Sequence, residues 1–228
     1  MAQPLHTAFL LFPEVTQLDL TGPAQFLSRV GRVSLVAATR DPVPTDAGFA
    51  ILPTATYDEV RDAYILCIPG GVGVTRVIED DAAMAWVAAL GARARWVTSV
   101  CTGSLILGAA GLLRGYRATT HWAWHDHLAL FGADPVRART VVDRNRVTGG
   151  GVTAGIDFAL TLIGEALGQQ AAKIVQLALE YDPQPPFEAG SPDRADLATR
   201  AIYDKRVTAT FPNRAAELRA AALRRGFA

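Results

Sequence analysis

An excess of charge of either sign is missing from this chain. Its 22 Lys and Arg balance 22 Asp and Glu over 228 residues. That removes the electrostatic footprint expected of a protein whose partner is nucleic acid or an anionic membrane. Long apolar runs are missing as well: no stretch approaches the roughly 20 residues of a membrane span. The start, Met-Ala-Gln-Pro-Leu-His, lacks the basic residues and apolar core of a signal peptide. Only two cysteines occur, so no disulfide framework is expected. A cytoplasmic protein is the expectation. Half of the residues are nonetheless hydrophobic, enough for one domain with a substantial core.

What is present is a series of short apolar runs alternating with helical patterns. Residues 7–12, 33–38, 64–68 and 96–100 read as strands. A helix is predicted over 23–30, with Asp19, Thr21 and Gly22 as candidate caps and Pro23 near its first turn. Residues 43–53 read as a hairpin excursion. Further helices are predicted over 80–91, with Gly91 as the stop, over 102–110 and over 153–167. Residues 140–143 and 146–148 flank a turn at Arg144-Asn145. Residues 182–192 are proline-rich and read as irregular, and 213–225 as an Ala/Arg-rich helical tail. Such alternation predicts an α/β fold with a largely parallel sheet covered on both faces. In such sheets the reactive crevice lies beyond the carboxyl ends of the strands. Phe12-Pro13, Ile68-Pro-Gly-Gly71 and Val100-Cys101 all fall at such ends.

The richest segment is Trp96-Val-Thr-Ser-Val-Cys101-Thr-Gly-Ser104. A cysteine between a buried strand and a helix start faces unpaired N–H groups and the positive end of the helix dipole. Both favour an anionic sulfur, and a thiolate is the nucleophilic form. Cys101 is therefore the candidate nucleophile, with the small residues Thr102 and Gly103 forming the tight corner. Cys67, inside an apolar strand, reads as a buried small hydrophobe. Gly70, Gly71 and Gly73 follow a strand end and, with the Thr102 N–H, could line an anion-stabilising pocket. They could equally serve an ordinary turn. Asp19 reads either as a cap or as the proton-transferring partner of Cys101. His121 and His125 have helical spacing, but no third ligand is fixed, so no metal is assigned. His121 is expected to line the pocket or hold a helix end.

These motifs in order, with Ala118-Thr-Thr-His-Trp122 and Gly151-Val-Thr-Ala-Gly-Ile-Asp157, resemble the ThiJ/PfpI superfamily. The resemblance implies a flavodoxin-like α/β sandwich, class I glutamine amidotransferase-like, over residues 1–190, with 191–228 as a helical tail rather than a separate domain. It implies a homodimer, a small-molecule substrate and no metal or organic cofactor. Cys101 matches the family nucleophile, Asp19 its acidic partner and Gly71 the glycine loop beside it. Thr102 after the cysteine matches the isonitrile-hydrating branch. A histidine there would match the protease-like members. That branch converts an isonitrile to an N-substituted formamide through a cysteine thioimidate. The superfamily also contains oxidation-sensing, glyoxalase-like and amide-hydrolysing proteins. Its regulator branch adds a helix-turn-helix unit longer than the residues left here, so no nucleic-acid partner is expected.

Overall fold

The computed structural model describes residues 5–227. In chain order the elements begin with β1 (Leu5–Leu10), α1 (Gln17–Leu27) and β2 (Gly31–Ala37). A hairpin of β3 (Val43–Pro44) and β4 (Ala50–Ile51) follows, then β5 (Ala55–Thr56) and β6 (Ile65–Ile68). Next come α2 (Val74–Glu79), α3 (Asp81–Gly91), β7 (Trp96–Val100), α4 (Gly103–Ala109) and β8 (Arg117–Ala118). A 3-10 helix over Trp122–Phe131 leads to β9 (Asp134–Pro135), β10 (Thr140–Asp143) and β11 (Arg146–Gly149). Four helices close the chain: α5 (Ala154–Leu167), α6 (Gln169–Ala178), α7 (Leu197–Thr210) and α8 (Arg214–Arg224).

Seven strands form one sheet in the order β10-β11-β7-β6-β1-β2-β5. Every pairing is parallel except β10 with β11. β6 and β7 are buried at every position, as strands covered on both faces must be. Helices surround the sheet: α1 packs with α5, and α5 with α6, while α2 contacts both α3 and α4. This is the flavodoxin-like α/β class expected. The register sets Cys67 beside Thr98 and Ile68 beside Ser99, so β6 and β7 end at nearly the same level. The loops carrying Gly70 and Cys101 therefore emerge side by side. No helix among the described residues is long and apolar enough to cross a membrane.

Two local expectations change. Helix α1 begins at Gln17, six residues before the predicted start, and Pro23 lies in its interior. Packing decides this against local preference: Leu20, Pro23, Phe26 and Leu27 are all buried. Pro23 sits so near α5 that a Cβ on Gly155 would lie 3.1 Å from its ring. Gly91 does not stop α3 in a left-handed turn; it is the last helical residue, followed by Ala92 in right-handed geometry. A Cβ on Gly91 would lie 2.4 Å from Leu112, so close packing is what its missing side chain serves.

The tail is more than an appendage. Leu218, Ala221 and Ala222 of α8, with Phe227 after it, join the same hydrophobic core as the sheet. Arg225 donates to the Ile78 carbonyl at the end of α2. Helix α7 has a single buried residue, Val207.

Candidate active site

Cys101 adopts φ +55°, in the left-handed region that L residues other than Asn and Asp rarely occupy. Such a residue stores about 1–3 kcal/mol of strain and persists only where its surroundings enforce it. Here its N–H donates to the Gly149 carbonyl at 3.1 Å. Its carbonyl accepts the Thr120 hydroxyl at 2.9 Å and the Ser104 hydroxyl at 3.2 Å. Gly103 then lets α4 start against the end of β6, since a Cβ there would lie 2.1 Å from the Ile68 carbonyl oxygen. Strand, corner and helix are thus locked in the order Val100, Cys101, Gly103.

The Thr102 N–H and hydroxyl both act on the sulfur and favour its ionised form. They do not prevail. Burial, and then the negative charge of Asp19, push the Cys101 thiol well above its ordinary range. This reverses the expectation of a sulfur ionised at rest. The helix start is present, but Cys101 is only 5% exposed, and desolvation outweighs a short helix and two hydrogen bonds.

Asp19 is fully buried. It is not a cap: Thr16 holds that position, and Asp19 sits in the first turn of α1. Its Oδ2 accepts the Gly70 N–H at 2.9 Å. Its Oδ1 has no partner of ordinary hydrogen-bond geometry. Burial raises its carboxyl to about 7, against the opposing pull of Gly70 and Cys101 and with a smaller push from the charge of Asp46. Near neutral pH this carboxyl can gain or lose a proton beside a thiol that keeps its own.

The glycine loop works differently from the expected anion pocket. The Gly70 N–H is taken by Asp19, and the Gly71 N–H donates to the Thr102 hydroxyl at 3.0 Å. The Gly73 N–H turns back to the Glu14 carbonyl at 3.4 Å. None of the three is free for a ligand in this arrangement. What the loop needs is closeness: a Cβ on Gly70 would lie 2.6 Å from the Thr102 nitrogen and 2.8 Å from Asp19 Oδ2. The loop positions the acid and the Thr102 hydroxyl; the Thr102 N–H is the backbone donor facing the sulfur.

His121 caps the 3-10 helix, its Nδ1 accepting the Ala123 N–H at 3.3 Å. Burial, aided by the Arg214 charge, lowers it to about 4, so the ring is neutral near pH 7 with hydrogen on Nε2. The 3-10 geometry repeats every three residues, so His121 and His125 do not share the face that α-helical spacing would give. Among the described residues no group of three His, Cys, Asp or Glu could hold a metal ion.

Sequence reasoning missed two contributors. Thr120, in the quoted motif but given no role, holds the Cys101 carbonyl. Tyr203 of α7 stacks on the rings of His121 and Trp122. Nothing in the sequence could place Tyr203 there, because a proline-rich loop separates it from the sheet.

The DJ-1/PfpI family model matches residues 6–165. The isonitrile hydratase of Pseudomonas putida is 52% identical over 196 residues, covering 85% of this chain and 86% of that protein. The transcriptional regulator GbdR of Pseudomonas aeruginosa, of the helix-turn-helix type, is 28% identical over 191 residues, but the match covers only 51% of its length. The crystal structure of a ThiJ/PfpI family protein from Pseudomonas syringae superposes with TM-score 0.91 at 45% identity, over 97% of this chain and 91% of that one. On the family match over residues 6–165 and the 52% identity to the Pseudomonas putida protein, this chain belongs to the DJ-1/PfpI family.

Proposed function

We propose that the protein is an isonitrile hydratase, adding water to R–N≡C to give the formamide R–NH–CHO without a cofactor. The observation that carries this reading is the buried pair of Cys101 and Asp19, whose carboxyl titrates at about 7. Its similarity to the Pseudomonas putida hydratase supports the substrate class. An isonitrile presents a terminal carbon that accepts both a proton and a nucleophile. Ionised Asp19 takes the Cys101 thiol proton and passes it to that carbon while the sulfur bonds to it, giving the thioimidate R–N=CH–S–Cys101. Water then adds to the same carbon, giving up one proton to the Asp19 carboxylate, which passes that proton on to the nitrogen. Collapse of R–NH–CH(OH)–S–Cys101 breaks the C–S bond and releases the formamide, and the hydroxyl proton returns to the sulfur through Asp19. One hard addition becomes two easier steps.

A protonated thiol suits this sequence, because the proton that the carbon requires is already in the pair. Thr102 steadies the sulfur as it gains charge. An oxidation-sensing role fits less well, since peroxide selects exposed cysteines of low pKa. Two free, buried cysteines suit the reducing cytoplasm. Homodimerisation is supported by apolar side chains on α6 and α7 that one chain leaves in water, Leu177 at 83% and Leu197 at 87% exposure among them. Sizing chromatography with light scattering tests that assembly.

The decisive experiment is formamide production from a panel of isonitriles, glyoxals and amides by the wild type, Cys101→Ser and Cys101→Ala. The expected outcome is turnover of isonitriles alone, lost by about 1,000-fold or more in both variants. Formamide production retained by Cys101→Ala would rule out the covalent route.

A further inference from the structure

The N-substituent of an isonitrile offers no hydrogen-bond handle, so an enzyme for it must select by shape and apolar contact. Tyr203 supplies such a contact from an unexpected quarter. It lies on α7, beyond the proline-rich loop, yet its ring is 6.5 Å from that of His121, with planes 26° apart. It is 5.1 Å from Trp122, with planes 38° apart. His121 follows Thr120, which holds the Cys101 carbonyl, and its ring edge lies 3.5 Å from where a Gly151 Cβ would be. His121 therefore stands beside the reactive corner with Tyr203 and Trp122 against it, and the Tyr203 phenol is near enough to feel a charge that develops on the Cys101 sulfur.

The stack is also how α7 is held. Only Val207 of that helix is buried, and besides the Tyr203 contacts the next aromatic anchor is Phe211 against Trp124 at 5.1 Å. Arg200, one turn before Tyr203, sets its guanidinium 5.4 Å over Trp122. A recess of about 160 Å³, lined by Trp122, Ser191, Pro192, Thr199, Arg200 and Tyr203, lies against two of the three rings. His121 is neutral near pH 7, so the ring nearest the Cys101 corner carries no formal charge itself.

We infer that Tyr203, with His121 and Trp122, forms the wall against which the apolar N-substituent of the substrate packs, which makes Tyr203 a specificity-determining residue contributed by the C-terminal segment. The inference rests on the isonitrile hydratase reading for its substrate, but the wall belongs to the surroundings of Cys101 and can be probed without turnover.

The test uses full-length Tyr203→Ala, Tyr203→Leu and Tyr203→Phe. Leu keeps bulk to anchor α7 if Ala loosens the fold, and Phe keeps the flat ring. KM and kcat are measured for cyclohexyl and methyl isocyanide. In parallel, Cys101 is alkylated with N-cyclohexylmaleimide and with iodoacetamide, the adduct being quantified by mass spectrometry. Ala and Leu are expected to raise KM for the cyclohexyl substrate about tenfold relative to methyl, with kcat held within about threefold. They should also change the maleimide-to-iodoacetamide rate ratio by at least about threefold, whereas Phe should match the wild type. Unchanged ratios in Ala and Leu, or a Phe variant that behaves like Ala, overturn the proposal. If wild type turns over neither isocyanide while the alkylation ratio still shifts as stated, the wall stands and the hydratase reading fails.

Discussion

The Gly70 N–H donates to Asp19 Oδ2 at 2.9 Å, and that bond exists only because residue 70 has no side chain. A Cβ there would press on Asp19 Oδ2 and on the Thr102 nitrogen at once. Both contacts are with rigid or buried groups, so the acid and the nucleophile corner must separate to admit a methyl. Gly70→Ala is expected to lower kcat by about 100-fold, as small displacements of reacting groups do. It should also destabilise the fold by about 1–3 kcal/mol. Formamide production and urea unfolding measure the two effects separately. A stable, fully active Ala variant would mean that the loop yields and that the pair does not depend on it.

Ionised Asp19 costs stability. Its folded carboxyl titrates at about 7, above the ordinary 3.8, so the native state holds a proton that the unfolded chain has released. Stability is complete below pH 3.8 and is lost as pH rises through 7. The loss is on the order of 4 kcal/mol. Asp19→Asn, a neutral isostere, is therefore expected to be more stable than wild type above pH 7 and to lose that advantage near pH 4. Urea midpoints across this range decide it; equal stability at pH 8 would contradict the strain assigned to the buried charge.

On the proposed route the same carboxyl also sets the rate. Asp19 must be ionised to take the thiol proton, so kcat/KM is expected to rise with pH along a limb centred near 7. Asp19→Asn should remove the limb together with most of the activity. The thiol itself should alkylate slowly: with burial and Asp19 holding it protonated, iodoacetamide at pH 7 is expected to label Cys101 at least about tenfold more slowly than free cysteine. Faster labelling would mean that the sulfur rests as a thiolate.

The strand–cysteine–helix corner, the parallel sheet and the acid after the first strand were legible in the sequence because each rests on local spacing. The protonation of the corner was not. A helix start after Cys101 reads as a promise of a thiolate, but burial is a property of the whole fold and overrides it. The glycines were legible as a tight loop, although their N–H groups proved to be occupied by Asp19, Thr102 and Glu14. Pro23 misled because its preference for a first helical turn is a local rule, overridden by the packing of α1 on α5. Tyr203 left no trace, since only the fold of the tail carries it to His121.

His121 pulls against Asp19 over the same range of pH. Its folded value, lowered by burial to about 4, lies below the ordinary 6.5. The unfolded chain therefore binds a proton that the native state refuses, and stability present above 6.5 is lost as pH falls through 4. That loss amounts to roughly 3 kcal/mol. Between pH 4 and 6.5 the two residues act in opposite senses, so wild-type stability should vary little with pH on their account. His121→Gln keeps an acceptor for the Ala123 N–H and removes the titration. It is expected to leave the Asp19 effect uncovered, so that stability falls more steeply from pH 4 to 7 than in wild type. Asp19→Asn alone should do the reverse and weaken toward acid, and the double variant should be nearly flat. Urea unfolding of the four proteins at pH 4.5, 5.5, 6.5 and 7.5 reads out these slopes. If His121→Gln tracks wild type at every pH, the ring is not buried as a neutral base, and its place as the neutral ring of the proposed wall goes with it.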